Sequence, residues 1–346
     1  MDEELKFPED YLHFDSMDIL SQYFHLTSDI RKAYESGDNF DIPKMNPEID
    51  HIFCIGMGGS AISFDLLNSY LTYLGINKPI TIVRDYAIPN TITKNSLILL
   101  NSYSGNTEET LFCYKAVHRI TDNIFSISSG GKLEELCRLN KTPFILVPSG
   151  YQPRTAAISF LFFPFLKLLE RLGIIENQSK SLVQITSTLA KSNLKDLAIS
   201  ISEKLFEKTP LIYSSELMYP VAYRMKTAVN ENAKTQAFCH RYSELNHNEL
   251  IGFTNVRGNY HIVTFRFNHD HRRIQKRMDL TKEITNSKGI ATTEIALTGD
   301  DFLTKMFSAV VIGDLTTIFL ALRYKIDPSP VDMVEEFKKK LGTVII

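Results

Sequence analysis

Cysteine is scarce: only Cys54, Cys113, Cys137 and Cys239 occur in 346 residues. None falls in a CxxC or paired spacing, which argues against a zinc site or a disulfide framework. Cys54 lies inside an apolar run and reads as a small core hydrophobe. An excess of one charge is missing too. The formal net charge is −2, so no global field draws nucleic acid or an anionic membrane, and a small anion would need a local site. Long apolar runs are absent: ISFLFFPFLKLL, from Ile158, is interrupted by Pro164 and Lys167, short of the roughly 18 residues a membrane span needs. The start, MDEELKFPED, is acidic and lacks an apolar stretch, unlike a secretory leader. A cytoplasmic chain with neither a nucleic-acid nor a membrane partner is the plain reading. What remains is ordinary globular composition, 44% hydrophobic and 23% charged, at a length suggesting about two domains of roughly 100–200 residues each.

Short apolar strands alternate with helical periodicity. A helix is expected over Asp15 to Tyr34, then a strand at HIFCIG, a helix from Ser60 to Tyr73, and strands at TIVRDY and SLILLNSYS. A helix from Thr107 to His118, the strand NIFSIS, a helix from Lys132 to Leu139 and the strand FILVP follow. The segment PSGYQP, from Pro148, reads as a connection between halves, followed by helices over Thr155 to Leu172 and about Ser181 to Lys208. Alternation then resumes through LIYSS, NYHIVTFRF and ATTEIAL, with helices between them and a terminal helix from Val331 to Leu341. Such alternation predicts parallel sheets covered by helices on both faces. The expected architecture is therefore α/β, two doubly wound domains over residues 1–152 and 153–346. The DHRRIQKR run reads as a solvated helix face.

Chemistry first shows at Gly56-Met57-Gly58-Gly59-Ser60-Ala61, after a strand and before a helix. Glycines there let backbone N–H groups approach an anion, and the helix start adds partial positive charge. Taken singly, this loop also fits a dinucleotide fingerprint with Asp85 as ribose ligand, or a tight turn with no ligand. The third strand shifts the balance. It ends Ser102-Tyr103-Ser104-Gly105-Asn106-Thr107-Glu108-Glu109, whose hydroxyls at Ser102, Ser104 and Thr107 could donate to several oxygens of one phosphate. Thr107 could equally be a simple helix cap, but capping explains neither Ser102 nor Ser104. Neighbouring strands of a doubly wound sheet end at one crevice, so Gly58, Gly59, Ser60, Ser102, Ser104 and Thr107 are the candidate phosphate cradle.

With VRDY from Val83, SSGGKL from Ser128, PRTAAISFLFFP from Pro153, NENAK from Asn230, ELNHNELIGF from Glu244 and DPSPV from Asp327, these motifs resemble the bifunctional phosphoglucose/phosphomannose isomerase family. The resemblance runs from the first helix to the last. It implies two sugar isomerase (SIS) domains, a homodimer, and reversible aldose–ketose isomerisation of glucose 6-phosphate and mannose 6-phosphate with fructose 6-phosphate through a cis-enediol(ate). Neither metal nor cofactor is implied. VRDY belongs to the pattern, which makes Asp85 structural.

The family's base glutamate falls on Glu231 and its ring-opening histidine on His247, the latter reaching the site from the other subunit. Arg154 matches the arginine that faces the enediolate, a charge a guanidinium stabilises without titrating. A lysine of the C-terminal helix assists at the ring oxygen; Lys338 is the aligned residue, with Lys339 and Lys340 adjacent. A carboxylate suits proton shuttling and histidine suits exchange near neutral pH. Without the resemblance, Glu231 would read as a surface or capping group, and the lysine triplet as charges favoured at a helix end. Glu244, Glu249 and His240 are nearby rivals. Phe64 departs from the family's small residues after GMGGS and would crowd the loop if it turned inward. Competing functions are a glucose-6-phosphate-only isomerase, a glucosamine-phosphate synthase (which needs an N-terminal nucleophilic cysteine where Asp2 stands), and a non-catalytic sugar-phosphate sensor.

Overall fold

The computed structural model describes residues 7–42, 49–191 and 193–342; the acidic start read for a leader lies largely outside them. The chain forms two compact units, His25–Lys180 with Val331–Ile346, and Ser181–Pro330 with Met1–Phe24.

The first unit holds five strands: β1 Ile52–Ile55, β2 Ile80–Val83, β3 Leu97–Asn101, β4 Ile124–Ser128 and β5 Phe144–Leu146. Their order is β2-β1-β3-β4-β5, and every pairing is parallel. β1, β3 and β4 are buried along their whole length, as expected of apolar runs covered on both faces. The order reverses between β1 and β3, so the chain leaves these neighbouring strands toward opposite faces and opens a crevice at their carboxyl ends.

The second unit holds β6 Thr209–Ser214, β7 Phe238–Arg241, β8 Tyr260–Arg266 and β9 Thr292–Ala296, in the order β7-β6-β8-β9, again all parallel. This repeats the order of β2-β1-β3-β4. The expected duplicated doubly wound architecture is present. Helix Phe302–Arg323 is long and apolar enough by composition to cross a membrane, yet it is a core helix: every residue in it but Arg323 is buried, with helices Leu194–Leu205 and Tyr219–Asn232 packed on it.

The packing differs from the expected division at 152/153. Helix Ile158–Arg171 packs on Leu26–Ser36 and Gly58–Tyr73 in the first unit, because its phenylalanines need that core: Phe165 stacks on Phe40 at 5.8 Å and meets Phe64 at 5.5 Å. Three local expectations also change. The helix expected over Asp15–Tyr34 is broken into Ile19–Gln22 and Leu26–Ser36: Asp18 takes a left-handed conformation at φ 49°, and the Asp15 carboxylate accepts the amides of Ile19 and Leu20, both at 2.9 Å. The span 181–208 is two helices, Ser179–Lys191 and Leu194–Leu205. β7 was not expected; FCHR carries no alternating apolar pattern and is an edge strand.

Candidate active site

The glycine loop after β1 and the hydroxyl loop after β3 meet at the crevice of the first sheet. The amide of Tyr103 donates to Ser60 Oγ at 3.2 Å, so the two loops are joined and the Ser60 hydroxyl keeps its own proton to donate. Helix Gly58–Tyr73 starts with no side-chain cap, leaving its positive end for an anion. Thr107 stands at the N-cap of helix Glu108–Val117 but makes no capping bond. Its Oγ1 instead accepts from Ser102 Oγ at 2.9 Å. Capping therefore does not account for this threonine. Ser102 is fully buried and orients Thr107 from within, while exposed Ser104 accepts from the Asn106 amide at 3.3 Å.

Two glycines make this fit possible. A Cβ on Gly59 would lie 2.6 Å from the Pro153 carbonyl oxygen, so the segment carrying Arg154 lies directly on the glycine loop. Gly105, at φ +67°, would place a Cβ 1.7 Å from the Gly130 carbonyl oxygen, so the loop after β4 buttresses the hydroxyl loop. The Ser129 amide and hydroxyl both donate to the Tyr103 carbonyl, at 2.8 and 2.7 Å.

Tyr103 was passed over in reading the sequence. Its hydroxyl donates to the Pro148 carbonyl at 2.9 Å and accepts from the Tyr151 amide at 2.9 Å, stitching the 148–153 connection to the cradle. Asn101, also missed, donates to Ser63 Oγ at 2.8 Å and to the Leu161 carbonyl at 3.0 Å. The signal for it was a lone polar residue ending the apolar run LILLN. Arg154 is buried at 5% exposure, with Nη1 donating to Gln152 Oε1 at 3.1 Å. Phe64 turns into the core and does not crowd the loop. Asp85 Oδ1 accepts the neighbouring Tyr86 amide at 2.6 Å.

Gly58, Gly59, Ser60, Ser102, Ser104, Thr107 and Arg154 thus share one unit and one crevice. Lys338 belongs to that unit as well, on the exposed helix Asp332–Leu341, paired with Glu335 at 2.7 Å. Glu231 and His247 belong to the second unit. Glu231 is half-buried in the last turn of helix Tyr219–Asn232. The turn is closed by Asn230 Nδ2 donating to the Thr235 carbonyl at 2.7 Å, and by Lys234 Nζ donating to the carbonyls of Glu231 at 2.5 Å and Pro328 at 3.2 Å. His247 is exposed, its amide donating to the Glu244 carbonyl at 2.9 Å. The rivals have local partners: Glu249 accepts from the Tyr213 hydroxyl, Glu244 from Asn248 Nδ2 at 2.7 Å, and His240 Nδ1 from the Arg241 amide at 2.8 Å.

The doubly wound sheet with its crevice is of the class of the SIS sugar-isomerase fold. The tagatose-6-phosphate ketose/aldose isomerase of Escherichia coli superposes with a TM-score of 0.68 at 16% identity, over 90% of this chain and 95% of that one. Residues 194–341 match the model of the bacterial phospho-glucose isomerase C-terminal SIS domain. The bifunctional phosphoglucose/phosphomannose isomerase of Caldicellulosiruptor bescii is 35% identical over 337 residues, 93% of this chain and 98% of the relative. The Aquifex aeolicus protein of the same name is 32% identical, over 87% of this chain and 93% of its own. The chain belongs to the bifunctional phosphoglucose/phosphomannose isomerase family.

Proposed function

We propose that this chain interconverts glucose 6-phosphate and mannose 6-phosphate with fructose 6-phosphate. Family membership supplies the reaction. The observation that carries it in this chain is the crevice at the β1/β3 reversal, where an uncapped helix start meets the Ser60 and Thr107 hydroxyls. There the 6-phosphate accepts hydrogen bonds from the hydroxyls of Ser60, Ser104 and Thr107 and from the amides of Gly58 and Gly59, while Ser102 holds Thr107 in place.

His247 opens the sugar by taking the proton from O1 and delivering a proton to O5 as the C1–O5 bond breaks. The Glu231 carboxylate then takes the proton from C2 of the open aldose, giving a cis-enediol(ate), and returns it to C1 to give the ketose; the reverse path serves either aldose. Buried Arg154 stabilises the enediolate oxygen without titrating, and Lys338 assists at the ring oxygen. The proton moves on a carboxylate, so the cycle calls for neither metal nor organic cofactor. His247 acts in a partner subunit of a homodimer. Its exposure supports this reading, as does the run of exposed apolar side chains Met333, Val334, Phe337 and Leu341 on helix Asp332–Leu341. A cytoplasmic location goes with a sugar-phosphate substrate.

The test is a coupled assay on each aldose phosphate separately, with and without EDTA. Turnover of both, undiminished by chelation, is expected. Turnover of glucose 6-phosphate alone would reduce the reading to a glucose-only isomerase. Binding without turnover would make the chain a sensor, and reversible loss with EDTA would overturn the carboxylate mechanism.

A further inference from the structure

Helix Tyr219–Asn232, which ends on Glu231, is fastened to core helix Phe302–Arg323 by polar groups that the reaction does not use. Arg224, Ala228 and Asn232 repeat at i, i+4 and i+8, forming one stripe of a helix, and all three are buried. At one end of the stripe, Arg224 grips Asp314 through Nε to Oδ1 at 2.9 Å and Nη2 to Oδ2 at 2.8 Å. At the other end, Asn232 Nδ2 donates to Thr317 Oγ1 at 2.9 Å. Thr317 in turn donates to the Asp314 carbonyl at 2.7 Å, so both attachments close on a single turn of the core helix. Beside the Arg224–Asp314 pair the helices approach closely at Gly313, where a Cβ would stand 3.3 Å from Met225 Cβ.

A helix held at one point can still roll about its axis; held at two points along its length, it cannot. Glu231 precedes Asn232 by one residue, about 100° around the helix. The roll fixed by the Asn232–Thr317 bond therefore fixes the direction in which the Glu231 carboxylate leaves the backbone. Both partners of that bond are fully buried, and breaking it removes a direct tie between the last turn and the core helix, which favours rearrangement of that turn.

We propose that Asn232 and Thr317 are positioning residues for proton transfer, setting the orientation of Glu231 without touching the sugar. This rests on Glu231 being the base. Misplacement of a reacting group by about 1 Å costs on the order of 100-fold in rate. Asn232→Ala and Thr317→Val are accordingly expected to lower kcat about 10- to 100-fold with KM within about 3-fold, and Thr317→Ser to retain most activity.

Loss of folded protein would also lower kcat, so the deciding readout is independent of enzyme concentration: the fraction of label carried from C2 to C1, and not lost to water, with C2-deuterated glucose 6-phosphate. A displaced carboxylate should lower that fraction in both variants, and the double variant should be no worse than the worse single one. Unchanged label transfer, with kcat falling only as far as folded protein falls, would overturn the proposal. If Asn232→Ala does not fold, Thr317→Val reads the same bond. Glu231→Gln, measured alongside, separates the failures. If it is inactive while Asn232→Ala and Thr317→Val are normal, only the positioning role is refuted; if it is nearly normal, the base assignment fails and the positioning role with it.

Discussion

Replacing Ser60 by alanine tests the cradle where its geometry is most demanding. The hydroxyl has two functions: it accepts the Tyr103 amide at 3.2 Å, joining the loops after β1 and β3, and in the proposed complex it donates to the phosphate. A hydrogen bond to a charged group is worth about 1.5–3 kcal/mol, and leaving the buried Tyr103 amide without an acceptor adds about 1–3 kcal/mol of strain on the loop. Part of that strain is relieved by loop movement, so a net loss of about 2 kcal/mol in substrate binding is expected, roughly thirty-fold in affinity. The phosphate does not change during proton transfer, so the contact is equally strong in ground and transition states, and its loss should raise KM with kcat nearly unchanged. Steady-state kinetics in both directions, on protein whose folding is checked by thermal melting, measure this. A kcat that falls while KM stays constant would refute the cradle assignment, as would an unchanged pair of constants.

Two further outcomes follow from groups buried in the second unit. Arg224→Met leaves the Asp314 carboxylate fully buried with its main partner gone, which should cost about 3–5 kcal/mol and lower the melting temperature by about 6–20 °C; Arg224→Met with Asp314→Leu should recover most of the loss, and a double variant as unstable as the single one contradicts this. His261, buried against Thr293 Oγ1 at 2.8 Å, has its pKa pushed down to about 4 by burial, then by the nearby Lys208 and Lys204. The unfolded chain, near 6.5, binds the extra proton, so this group's stabilisation is complete above pH 6.5 and is lost as pH falls toward 4. Asp270, pushed up to about 6 by burial, acts with the opposite sign, favouring the folded state at low pH and losing that advantage as pH rises from about 4 to 6. The clean measurement is therefore the difference between wild type and His261→Leu in urea midpoints from pH 7 to 4.5: the wild type should lose more stability on acidification, and parallel curves would refute the assignment.

Much of the crevice was legible because its chemistry is local. GMGGS and SYSGNT each follow a fully buried strand, and parallel-sheet topology alone brings the ends of such strands together. Illegible were the groups whose roles depend on distant partners. Tyr103 reads as an ordinary aromatic until Ser60, Pro148 and Tyr151 are seen around it. Ser102 reads as one more hydroxyl of the cradle until it is found fully buried and bonded to Thr107 Oγ1. The division at 152/153 follows a turn-rich connection in the sequence, whereas packing follows the phenylalanines of Ile158–Arg171. β7 escaped because an edge strand with exposed Phe238 lacks the alternation that marks a half-buried strand. Glu231 was placed by motif resemblance; in the structure its surroundings show how the turn is held, through Asn230, Asn232 and Lys234.

The central claim is that one carboxylate moves the proton while hydroxyls hold the phosphate. Its most direct test is Glu231→Gln, assayed for turnover and, on the same sample, for fructose 6-phosphate binding by calorimetry. The account predicts a fall in kcat of about a thousand-fold or more, in line with loss of a general base, with affinity within a few-fold of wild type. Turnover close to wild type in that variant would contradict it.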